Sequence, residues 1–81
     1  MRATCIVRKK ILPEYFRAVK AREKNFEIRK DEDHIQPGDL LILDEWDGRC
    51  YTGPGVRRTV KYVLRDAEEY GLMPGYCIIG W

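Results

Sequence analysis

The 81-residue chain contains no serine, a single histidine and three cysteines. The missing serine excludes a Ser-His-Asp hydrolase and a Gly-x-Ser-x-Gly elbow, and neither a Gly-rich phosphate loop nor a His-Glu-x-x-His motif is present. His34, in a charged loop beside Asp33, reads as a solvated side chain. Cys5, Cys50 and Cys77 are odd in number, widely spaced and without a Cys-x-x-Cys pair, so neither a disulfide framework nor a zinc site is indicated. The expectation is reduced, mostly buried thiols in a cytoplasmic protein, because free cysteine behaves as a small hydrophobe. No metal and no cofactor is implied. The aliphatic run Leu40–Leu43 falls far short of the roughly 20 residues that span a bilayer, so no membrane partner is expected. The basic start lacks the apolar stretch of roughly 7–15 residues that marks a signal peptide. A chain this short is expected to form one domain over residues 1–81, with a single small core.

What the sequence does have is an uneven charge distribution. Residues 1–30 carry ten Lys and Arg against three Glu, a net of +7, whereas residues 31–81 carry five basic and ten acidic side chains, a net of −5. A concentrated basic segment is the electrostatic footprint of a phosphate-bearing partner, unless folding lays the acidic half alongside it.

Elements follow from periodicity. Residues 4–7 are apolar or β-branched and read as a first strand. Pro13 suits the first turn of a helix whose apolar stripe is Leu12, Tyr15, Phe16 and Val19. Residues 25–30 alternate strictly, with Phe26 and Ile28 on one face and Glu27 and Arg29 on the other. Burial of Phe26 and Ile28 is expected. Residues 39–46 read as a central strand buried on both faces, and Asp47-Gly48 as a turn. Residues 52–55, Thr-Gly-Pro-Gly, are expected to break the chain. A strand over 56–64, a loop with a helical turn near 66–70 and a last strand over 75–80 complete the order. The expected fold is α+β, mainly β: a small barrel of five to six strands with one main helix, ordered β-α-β-β-β-β. Its core is expected to include Phe16, Val19, Phe26, Ile28, Ile42, Val60 and Ile78, together with Tyr15 and Tyr62, which lie in apolar stripes.

The densest polar constellation is Lys24, Glu27 and Arg29, with Lys10 and Lys30 nearby in sequence. A carboxylate beside a guanidinium on one strand face can accept from a base amino group while the guanidinium takes a phosphate or carbonyl. Trp46, Tyr51, Tyr70 and Tyr76 flank loops and are candidate stacking surfaces for a base. The same charges also fit an exposed strand face with simple ion pairs.

The segment from Lys24 to Arg29 resembles the G-x-K-x-x-E-x-R signature of ASCH domains, members of the PUA-like superfamily. The series Lys10–Phe16, Phe26–Lys30, Gly38–Leu43, Glu45-Trp46 and Tyr51–Gly53 resembles a small single-domain bacterial and phage branch of unknown function. Two positions depart from the pattern: Arg22 stands where the signature has glycine, and Val7 where the branch often has histidine. The resemblance implies a PUA-like barrel with a cleft beside the motif strand and a role in binding RNA, nucleotides or modified bases. Lys24, Glu27 and Arg29 then recognise the ligand, Lys10 and Arg8 engage phosphates and Trp46 stacks. Some relatives deacylate N4-acetylcytidine with a lysine and a threonine; Glu27 occupies the threonine position. Three functions stay open: an RNA- or nucleotide-binding module, a small amidohydrolase with Lys24 as base and Glu27 as acid, and a protein-binding accessory that docks through the acidic half.

Overall fold

The structure is a computed structural model and describes residues 3–81; Arg2, counted in the basic segment, lies outside the described residues. The first strand, β1, runs Ile6–Ile11, so it begins later than its β-branched start suggests and draws Arg8, Lys9 and Lys10 into the ladder. Helix α1 follows at Pro13–Lys20, with Pro13 in its first turn, Glu14 near its positive end and Lys20 near its negative end. Then come β2 (Phe26–Lys30), β3 (Leu40–Trp46), β4 (Tyr51–Thr59), β5 (Tyr62–Leu64), a 3₁₀ turn at Glu68–Tyr70 and β6 (Tyr76–Gly80).

The strands form two three-stranded sheets. One has the order β1-β3-β4, with β1 parallel and β4 antiparallel to β3; the other is the antiparallel set β2-β6-β5. No hydrogen-bonded ladder joins the two into a closed barrel among the described residues. The chain changes sheets at Val60-Lys61: the Val60 N–H donates to the Asp39 carbonyl of the first sheet, and the next N–H, Lys61, donates to Gly80 of the second. This crossing divides the strand expected over 56–64 into β4 and β5. The expected break at residues 52–55 lies inside β4. Because β4 is an edge strand, Pro54 can sit there without removing a ladder donor, and the register irregularity opposite Asp44–Trp46 absorbs the extra residues.

The core lies between the sheets. Leu41 and Leu43 of β3, Cys77 and Ile79 of β6, Phe16 and Val19 of α1, and Ile11, Ile35 and Val60 form one buried cluster. Ile42 points to the other face of β3 and is also buried, flanked in register by Arg8 and Arg57. Phe16, Val19, Ile42 and Val60 therefore occupy the core as expected.

Phe26 and Ile28 do not. They are 46% and 54% exposed, while Glu27 between them is only 6% exposed. The alternation of β2 is real, but its faces are inverted: Glu27 lies opposite Ile79 and Arg29 opposite Cys77, on the inner side, and Phe26 and Ile28 lie opposite Gly80 and Ile78 on the outer side. Ile78 is correspondingly half-buried, its core place taken by Cys77 and Ile79. Tyr15 and Tyr62 are exposed as well. The thiols also differ from expectation, since Cys5 and Cys50 are exposed and only Cys77 is buried. No helix among the described residues is long and apolar enough to cross a membrane.

Candidate nucleotide-binding cleft

The end of α1 places the first site residue. Arg22 adopts a left-handed φ of 63°, and its N–H donates to the Val19 carbonyl, while the N–H groups of Glu23 and Lys24 both donate to Ala18. This is the reversal that helix ends usually assign to glycine. It turns the chain so that Lys24 stands beside β2 and pairs with the Glu27 carboxylate. Arg29, two residues further on the same inner face, donates from Nε to Glu27 Oε2 at 3.0 Å. One buried carboxylate thus receives two cations, which explains how β2 can turn its charged face inward: a buried charge is tolerated when paired and hydrogen-bonded.

Arg29 also links the sheets. β1 and β2 are edge strands of their respective sheets, and the Arg29 Nη2 donates to the Lys10 carbonyl across the seam between them. The seam opens into two adjoining hollows, each of about 650 Å³, with Lys10 and Arg29 lining both. The first is walled by Tyr15, Lys24, Phe26, Glu27 and Trp46 together with Leu12, Ile11 and Ile28. The second is lined by Arg8, Lys9, Asp44, Glu45, Tyr51, Gly53 and Pro54.

Cations in the first hollow sit over rings. Lys24 Nζ lies 5.3 Å from the Tyr15 centroid and 5.1 Å from that of Phe26. Lys10 Nζ lies 4.6 Å from the Trp46 centroid and 5.9 Å from that of Tyr51. Such contacts hold a flexible ammonium in place while leaving its remaining donors for an anion. The result is an apolar slot with aromatic walls, a buried acceptor at its base and cations at its rim.

Of the residues singled out from the sequence, Lys10, Arg8, Lys24, Glu27, Arg29, Trp46 and Tyr51 line this pair of hollows, whereas the candidate stacking residues Tyr70 and Tyr76 line neither. Lys24, Glu27, Arg29, Lys10 and Trp46 gather at the first, and Arg8 at the second. Arg8 is committed to Asp44, with Nε and Nη2 each 3.1 Å from a carboxylate oxygen. Lys9 pairs with Asp33, so part of the basic segment is neutralised locally by the acidic half. Among the described residues, no group of three or more His, Cys, Asp or Glu gathers as a metal would require.

The family model described as a domain of unknown function (DUF3850) matches residues 7–81. The chain belongs to this family. No curated protein matches it. The DUF3850 match spans every residue of both hollows.

Four residues that fit apolar stripes and look like core, Leu12, Tyr15, Phe26 and Ile28, line the first hollow of this DUF3850 cleft instead. The signal available for Phe26 was its neighbour: with Glu27 held between Lys24 and Arg29, the strand face carrying Phe26 is forced outward.

Away from the cleft, a second ion pair braces the fold. Arg65 donates to both oxygens of Asp31 and, at 2.6 Å, to the Ile35 carbonyl. The Arg65 hydrogen bond and charge hold the Asp31 carboxyl below its ordinary value, and Asp31 in turn raises Arg65. Burial, reinforced by the Asp31 charge, pushes the Cys77 thiol up, which marks it as a packing residue rather than a nucleophile.

Proposed function

We propose that this chain is a PUA-like, ASCH-type module that binds RNA or a nucleotide in the cleft at the β1–β2 seam. In this reading the two sheets correspond to a PUA-like barrel whose opening at that seam is the ligand entrance. The observation that carries it is the convergence of three cations (Lys10, Lys24, Arg29) and three rings (Tyr15, Phe26, Trp46) on one hollow of about 650 Å³. Small-ligand sites typically measure about 300–1,000 Å³ and combine apolar walls with a few fixed polar groups. A base stacks on the rings, its amino hydrogens meet a Glu27 lone pair that Lys24 and Arg29 leave over, and the cations lining the hollow take phosphate.

Filter binding of single-stranded RNA at a series of salt concentrations tests this. The affinity is expected to fall as salt rises, with a log–log slope that counts the few phosphates neutralised. Absence of binding at low salt overturns the reading. Turnover of an acylated nucleoside without RNA affinity would instead assign the hollow to hydrolysis.

A further inference from the structure

A mononucleotide in the first hollow leaves the second without a role, although the two are built as a pair. Trp46, at the end of β3, and Tyr51, at the start of β4, are directly opposed in register. Opposed residues on neighbouring strands have Cβ atoms about 4.5–5.5 Å apart. Trp46 lines the first hollow and Tyr51 the second, where it is 59% exposed. The Lys10 ammonium lies over both rings, and Lys10 and Arg29 line both hollows. Each side of this cationic divide therefore carries one aromatic platform.

One wall of the second hollow is neutralised by an ion pair. Arg8 and Asp44 neutralise each other there through two hydrogen bonds. Gly55 leaves room for that pair: a Cβ at residue 55 would stand 2.9 Å from Asp44 Oδ1. A phosphate is thus drawn not to Arg8 but to the divide. Arg29 offers donors at that point: of its five N–H groups, one is spent on Glu27 and one on the Lys10 carbonyl among the described residues.

Resting on the binding reading above, we infer that the two hollows together hold two consecutive nucleotides of single-stranded RNA. One base stacks on Trp46, its neighbour stacks on Tyr51, and the phosphodiester between them lies against Lys10 and Arg29. The ligand is then an RNA segment, and a free mononucleotide fills half the site.

Calorimetric titration at low salt compares adenylyl-(3′→5′)-adenosine with adenosine 3′-phosphate and with the same dinucleotide carrying an uncharged methylphosphonate linkage. Adenine offers an amino group to Glu27 and a large stacking face. The charged dinucleotide is expected to bind about tenfold or more tightly than the mononucleotide, the effect of one added stacked base. The methylphosphonate linkage and Tyr51→Ala should each remove that gap, with the thermal melt of Tyr51→Ala confirming an intact fold. Equal affinities for dinucleotide and mononucleotide, or undiminished binding of the uncharged dinucleotide, overturn the two-nucleotide site and leave the binding reading standing. The same holds if a folded Tyr51→Ala binds the dinucleotide as wild type does. If neither nucleotide binds, both fall.

Discussion

Arg22 shows how a single backbone angle positions the site. Its φ of 63° costs an L-residue roughly 1–2 kcal/mol that glycine avoids, partly offset by the about 0.4–1 kcal/mol by which glycine favours the unfolded chain. Arg22→Gly is therefore expected to raise stability by about 0.5–1 kcal/mol, read from urea melts, without altering the turn that delivers Lys24. A loss of stability would show that the Arg22 side chain holds the turn in some other way. Asp31 gives a pH signature. Its carboxyl is held below the ordinary value of 3.8, chiefly by the Arg65 hydrogen bond, so the native state favours its charged form. That contribution is complete above the unfolded value and is lost as pH falls through the folded one. The gap in melting temperature between wild type and Asp31→Asn should thus stay constant above about pH 5 and narrow steadily towards pH 2. A gap independent of pH would contradict the assignment.

At the scale of elements, the test is which face of β2 is buried. Phe26→Ala should cost less than about 1 kcal/mol of stability while weakening ligand binding, because Phe26 walls the hollow and is half in solvent. Ile79→Ala, on the inner face of the neighbouring strand, should cost about 2–5 kcal/mol, as for a fully buried aliphatic. Comparable losses in the two variants would put Phe26 back in the core. The same strand marks the limit of what was legible. Period-2 alternation states which side chains share a face, and it did so correctly for Glu27 with Arg29. Which face is inward depends on partners from elsewhere: Lys24 from the helix end neutralises Glu27, and the Lys10 carbonyl receives Arg29 from another sheet. Helix α1 and the doubly buried β3 were readable because their stripes and runs are decided locally. The Gly-Pro-Gly stretch misled because its tolerance in β4 follows from that strand's edge position, which is a property of topology.

For the molecule as a whole, folding pairs part of the basic segment with carboxylates and brings only part of the rest to the cleft. Arg8, Lys9, Lys24 and Arg29 each meet a carboxylate, two of them supplied by the acidic half, Asp33 and Asp44. The other basic side chains are divided: Lys10 and the donors of Arg29 face the hollows at the seam, whereas Arg17, Lys20, Arg22 and Lys30 are exposed away from them. The most direct measurement is a calorimetric titration of a short single-stranded RNA into wild type and Arg29→Ala at low salt, with thermal melts of both. The expected result is binding by wild type and an affinity loss of about 1–3 kcal/mol in Arg29→Ala, the range of a specific nucleic-acid contact, in a protein that remains folded. Wild-type affinity in a folded Arg29→Ala, with only the melting temperature lowered, would mean that Lys24, Glu27 and Arg29 form a structural ion-pair cluster and not a binding site.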